Sequence, residues 1–233
     1  MNYHCPLCET LGVVPDEARG HEVLCLKCRR SFFIPDRSIE ERMRLGILFA
    51  ARRNDGDVIR DFANQQADLD LQSPKDGHTP LHIASLHGKL HALKELLAGG
   101  AKLDIRASRT EQTPLIYAAR EGHAEAVQML IARGANVNAR DPDGCGALHW
   151  AARKGYLDVA KALVKGGADI QLNNVNGLRP IQFAVAYHKP ELRDYLVAAE
   201  RAAGFMKRQI SKNDKNETMN RVLFGLGSKK KNG

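Results

Sequence analysis

No stretch of this 233-residue sequence approaches the roughly 20 consecutive apolar residues that a bilayer-spanning helix requires. The first residues lack the charged-then-apolar order of an export signal, which sets the expectation of a cytoplasmic protein. Catalytic patterns are missing too. There is no glycine-rich phosphate loop, no nucleophile with a matched base and no pair of carboxylates on one defined face, so the expectation is a protein without enzymatic activity. Most of the chain also lacks excess charge. Residues 1–200 hold 26 Lys and Arg against 25 Asp and Glu, whereas residues 201–233 hold 9 against 2. The formal net charge of +8 therefore lies almost wholly in the tail. Residues 1–37 carry five charges of each sign, which argues against this segment as an electrostatic binder of nucleic acid, although Lys27, Arg29 and Arg30 form a local basic patch.

What the chain has is a period of about thirty-three residues. Thr79-Pro80-Leu81-His82-Ile83-Ala84, Thr113-Pro114-Leu115-Ile116-Tyr117-Ala118, Gly146-Ala147-Leu148-His149-Trp150-Ala151 and Arg179-Pro180-Ile181-Gln182-Phe183-Ala184 align. The matched alanines Ala84, Ala118, Ala151 and Ala184 are 34, 33 and 33 residues apart. Thr79 and Thr113 suit helix N-caps, with proline at the first helical position, where a missing N–H costs nothing. A second helix follows in each unit, with an apolar stripe such as Val127, Leu130 and Ile131, or Val159, Leu163 and Val164. Gly100, Gly134 and Gly167 suit the left-handed turn that ends it. A fixed period of this length means a stacked array in which no unit buries its apolar face alone.

An earlier unit fits from Ile47 to Gln72, without the Thr-Pro start and with Asn54 and Gln66 at glycine positions. The last unit has His188-Lys189-Pro190 where Gly-His is usual. Five units result, two of them atypical ends, as a solenoid needs. The residues resemble an ankyrin-repeat protein, most closely over Gln112 to Arg140. That resemblance implies a mainly α fold: a solenoid of about five helix pairs with β-hairpin loops, acting as a binding scaffold.

Cys5-Pro6-Leu7-Cys8 and Cys25-Leu26-Lys27-Cys28 form two CxxC pairs sixteen residues apart. This spacing suits four thiolates around one tetrahedral, structural Zn²⁺. Thiolates also bind iron, so a rubredoxin-like site stays open. A redox motif at Cys5 and Cys8 would need a strand–helix unit after it, which Leu11 to Gly20 does not offer. The segment is similar to the small four-cysteine zinc ribbons of bacterial proteins, though Glu9 and Arg29 stand where those place glycine. The expected organisation is a zinc ribbon at 1–37, the array with capping end units at 38–208, and a flexible basic tail at 209–233. A capping box, Ser38-Ile39-Glu40-Glu41, starts a helix running to about Arg53. In the tail, Val222 to Leu226 and Lys229 to Lys231 read either as a frayed end or as a short docking segment.

The resemblance implies a concave binding surface formed by the inner faces of the first helices and the hairpin tips. On this chain those positions are Arg52, Arg53, Leu86, His87, Arg120, Glu121, Arg153, Lys154, Ala186 and Tyr187, with Arg106, Arg109, Gln112, Arg140, Asp143 and Leu178 in the loops. Arginine outnumbers acid, so the expected partner is an acidic protein segment bound by a monomer. The alternative is a nucleic-acid-associated adaptor using the ribbon, the arginine-rich face and the tail. Tyr117 and Trp150 read as packing between units. His82 and His149 read as local caps, so the group His78, His82, His87 and His91 is not expected to hold metal. Cys145, in the turn before a repeat helix, reads as an exposed thiol.

Overall fold

The computed structural model describes residues 39–204, with side chains from Leu45 onward, and the backbone of four short strands before them. Those strands are β1 (Asn2–His4), β2 (Leu11–Val13), β3 (Glu22–Leu24) and β4 (Ser31–Phe33). β1 pairs antiparallel with β2 and β3 with β4, as two separate sheets. Cys5, Cys8, Cys25 and Cys28 lie outside the described residues, as does everything after Gly204, including Val222 to Leu226 and the lysine cluster.

Ten helices follow among the described residues. They are α1 (Ile39–Arg53), α2 (Gly56–Asn64), α3 (Pro80–Leu86), α4 (Leu90–Ala98) and α5 (Pro114–Glu121). Then come α6 (Ala124–Ala132), α7 (Ala147–Lys154), α8 (Leu157–Lys165), α9 (Pro180–Ala186) and α10 (190–204). They form five antiparallel pairs. The first helix of each pair packs on the first helix of the next, α1 to α3 to α5 to α7 to α9, and the second helices pack likewise from α2 to α8.

Side-chain size produces this stacking. Ala84, Ala118, Ala151 and Ala184 are fully buried at the crossing of neighbouring first helices, where a larger group would hold the backbones apart. Leu93 and Leu96, Val127 and Leu130, and Val159 and Leu163 fill the space to the second helices, and one core runs unbroken from Ile47 to Leu196. The expected stripes are off by one position in each: Ile131 and Val164 are only half-buried.

The caps act as the sequence indicates. The Thr79 and Thr113 hydroxyls accept from the N–H groups of His82 and Ile116. Gly100, Gly134 and Gly167 adopt φ of 85°, 92° and 89°. Asn54, Gln66 and His188, which replace glycine in the end units, also adopt positive φ. Asn54 offsets that strain, because its side-chain oxygen accepts from the Ala92 N–H of the next unit.

The loops between units differ from expectation. They are turns without paired strands, and among the described residues the one isolated bridge between them is Arg140 to Gly146. Each loop is closed by a backbone hydrogen bond, from the N–H groups of Ser73, Ala107, Asp141 and Asn174 to the carbonyls of His78, Gln112, Cys145 and Leu178, and short polar side chains tie one unit to the next. Asp70, Asp104 and Asn138 each accept from a backbone N–H one unit on, at Lys102, Asn136 and Asp169, over 2.8 to 3.0 Å.

Candidate interaction face

Three side-chain rows run along the first helices, one residue per unit. One place before the matched alanine stand Phe49, Ile83, Tyr117, Trp150 and Phe183. Two places after it stand Arg52, Leu86, Arg120, Arg153 and Ala186, and three places after it Arg53, His87, Glu121, Lys154 and Tyr187. Helical geometry brings the first row beside the other two, three and four residues on.

In units three to five the rows interlock. The Arg120 guanidinium carbon lies 4.7 Å from the Tyr117 ring centre and 5.8 Å from that of Trp150. The Arg153 carbon lies 5.3 Å from Trp150 and 5.0 Å from Tyr187. Tyr187 stacks on Phe183 with ring centres 6.4 Å apart. The result is a strip of alternating aromatic rings and guanidinium groups crossing three units. Each cation–π contact at such a site contributes about 0.5–1 kcal/mol.

A buried network fixes this strip. The Gln112 side-chain oxygen accepts from Arg120 Nη1 at 2.9 Å, and its Nε2 donates to Asp141 Oδ2 at 3.2 Å. The same carboxylate oxygen accepts from the Trp150 indole N–H at 2.9 Å. Asp141 Oδ1 accepts from the backbone N–H groups of Asp143 and Cys145. One buried carboxylate thus orients both the indole and, through Gln112, the guanidinium. Arg120 Nε also donates to Glu121 at 3.0 Å, so its charge is partly answered. Arg153 forms no ion pair with a carboxylate among the described residues.

The expected binding residues therefore divide. Arg120, Glu121, Arg153 and Tyr187 come together, and Lys154 is exposed beside Arg153 in sequence. Arg52 and Arg53 are exposed in unit one, with Arg53 over Phe49 at 5.6 Å. Leu86 is half-buried, and its carbonyl accepts from the His123 ring. His87 is exposed, and partial burial lowers its pKa. Arg106 donates to the Glu111 carbonyl of its own loop. Arg109 lines an open cleft of about 570 Å³ with Lys75 and Asp76. Arg140 is exposed, as are Asp143, Leu178 and Ala186.

Two expectations are corrected. Gln112 is a buried linker rather than a loop-tip contact, because Arg120 and Asp141 close over it. Cys145 is buried rather than exposed, since Asn174 of the next unit covers it with a 3.8 Å contact, and burial raises its thiol pKa. Sequence reasoning missed Asp141 altogether. Its signal was the Asp-Pro-Asp-Gly turn, where an aspartate is ordinarily a local turn residue. Tyr117 is the packing residue expected, its hydroxyl 2.7 Å from both His78 and Thr110. Trp150 does more, because both arginines rest on it. No helix among the described residues is long and apolar enough to cross a membrane.

A stack of helix pairs with one side-chain strip across its first helices defines a helical repeat solenoid. The family model of ankyrin repeats, three copies to the model, matches residues 47–141 and again residues 133–209. The chain belongs to the ankyrin-repeat family, whose repeats serve as modules of protein–protein interaction. A comparison with curated proteins returned no match.

Proposed function

We propose that this protein is a non-enzymatic, monomeric cytoplasmic scaffold that holds an acidic segment of a partner protein against the strip formed by Arg120, Trp150, Arg153 and Tyr187, with the buried Tyr117 ring backing Arg120. The observation that carries this reading is Arg153. It is exposed, held between two aromatic rings, and without an ion pair among the described residues. A guanidinium pre-oriented in this way can take a carboxylate in two parallel hydrogen bonds with little further loss of side-chain freedom.

The N-terminal module is read as a structural Zn²⁺ site. Four cysteines supply the donor set of a closed tetrahedral centre. The ends of the paired strands that flank each CxxC face one another, His4 against Leu11 and Leu24 against Ser31. In sequence, each cysteine pair thus follows one strand and precedes its partner, which supports the reading. Cys5, Cys8, Cys25 and Cys28 would hold the metal, which would supply folding energy to a segment too short for its own core. Metal analysis of purified protein is expected to give one zinc per chain; a chain that folds without metal ends this part of the reading.

Affinity purification from the native cell, followed by mass spectrometry, tests the scaffold itself. The expected outcome is a protein partner retained by the unaltered chain, insensitive to nuclease, and lost from an R120E/R153E double variant. If nuclease removes every co-purifying species, the chain works as a nucleic-acid adaptor instead.

A further inference from the structure

The chemistry of the strip changes at unit five. The arginine row runs Arg120, Arg153 and then Ala186, so the cations stop one unit before the array does. The exposed large apolar side chains of the described residues, Val175, Leu178, Val185 and Tyr187, all fall in that last unit. The equivalents of Leu178 and Val185 one unit earlier, Cys145 and Ala152, are buried. Tyr187, 44% exposed, stacks on Phe183 and stands 5.0 Å from the Arg153 guanidinium carbon. A cation and an exposed aromatic ledge therefore adjoin.

We propose that the partner segment is bipartite: carboxylates that meet Arg120 and Arg153, and a bulky apolar residue that packs on Tyr187 and Phe183. This inference rests on the acidic-partner reading and specifies it. Arg153 and Tyr187 touch, and an extended chain advances about 3.3 Å per residue. The apolar residue therefore lies one to three places from the carboxylate that Arg153 holds, and the remaining acidic residues extend away from it toward unit three. Charge complementarity recruits and orients such a segment, and the ledge supplies the desolvated anchor that exposed charges alone provide poorly.

The test is selection of a random 16-residue peptide display library against the full-length protein. Enriched peptides are then resynthesised and measured against the unaltered chain, Y187A and R153E. The expected motif is two or more acidic residues with Leu, Phe, Trp or Met on one flank only. Y187A is expected to weaken these peptides about tenfold, and R153E more. Acidic peptides with no apolar position, bound equally by Y187A, overturn this inference and leave the acidic-partner reading standing. That result also follows if the chain's own C-terminal residues or a second copy cover the ledge. Enrichment of neutral or basic peptides, or of none, overturns both. Near-ultraviolet circular dichroism of Y187A matching the unaltered chain shows that the loss is not one of folding.

Discussion

At the scale of single residues, the buried histidines carry the most specific chemistry. His82 Nδ1 accepts from the Thr79 N–H at 3.1 Å, and its Nε2 donates to the Gln112 carbonyl of the next unit at 3.0 Å. His149 repeats this with Gly146 and Leu178. A backbone donor on one nitrogen and a carbonyl on the other require the neutral ring. Burial, against the partly offsetting Gln112 carbonyl, holds the His82 pKa down to about 4, and burial lowers that of His149 as well. The unfolded chain takes these protons near pH 6.5 while the folded chain refuses them. The stability that His82 contributes is therefore full above about pH 6.5 and falls as pH drops toward 4, by up to roughly 1.4 kcal/mol per pH unit, and His149 acts in the same direction. In the last unit Gln182 makes the same cap, its Oε1 accepting from the Arg179 N–H at 2.6 Å. An H82Q/H149Q variant is thus expected to fold and to show a flatter urea midpoint between pH 6.5 and 4.5. Ser85 offers the opposite case. Its hydroxyl is buried with no partner, at a position where the next two units have Ala119 and Ala152. Ser85→Ala is expected to raise the unfolding free energy by about 1 kcal/mol, measured by urea denaturation.

At the scale of the element, the repeat register made most of the fold legible. Thr-Pro starts, buried alanines and Gly-Ala ends place nearly every helix, because each residue type answers a local backbone demand that the sequence states directly. The helix expected to run to about Arg53 is present as α1, Ile39–Arg53, while Ser38, its expected cap, lies outside the described residues. What stayed illegible depends on neighbouring units. Cys145 and Gln112 stand at loop positions that read as solvent, and only the next unit buries them. The strip was half visible: helix positions identified Arg120 and Arg153, but sequence alone did not show Trp150 lying between them or Asp141 holding it. The turns separate two kinds of glycine demand. Gly100 has φ 85° with open space around a hypothetical Cβ, whereas at Gly77, φ 71°, such a Cβ would stand 2.4 Å from the Ser108 backbone nitrogen. Gly100→Ala is expected to cost about 1 kcal/mol from the left-handed backbone alone. Gly77→Ala is expected to cost clearly more, because two loops must part, and denaturation of the two variants side by side checks the order.

At the scale of the whole molecule, stability is distributed along the stack. Each unit contributes its own helices and one interface to the next, so a break in the middle weakens both neighbours. Leu130, fully buried in α6, packs in such a middle unit. Leu130→Ala is expected to cost about 2–5 kcal/mol, with hydrogen exchange accelerating in units two and four as well as in unit three. On the proposed reading, this packing suits the row to binding, since Arg120 and Arg153 already rest on Trp150, with Gln112 and Tyr187 beside them.

The chain contains a single tryptophan, and it is Trp150, seated between those two arginines. Its fluorescence reports on the strip. Titration with poly-L-glutamate, at low and then at moderate salt, is therefore the most direct measurement of where acidic chains bind. A saturable change in Trp150 emission, absent from R120E/R153E and not reproduced by poly-L-lysine, is the result this account requires. Binding of polyglutamate with unaltered Trp150 emission would place the acidic site elsewhere and contradict it.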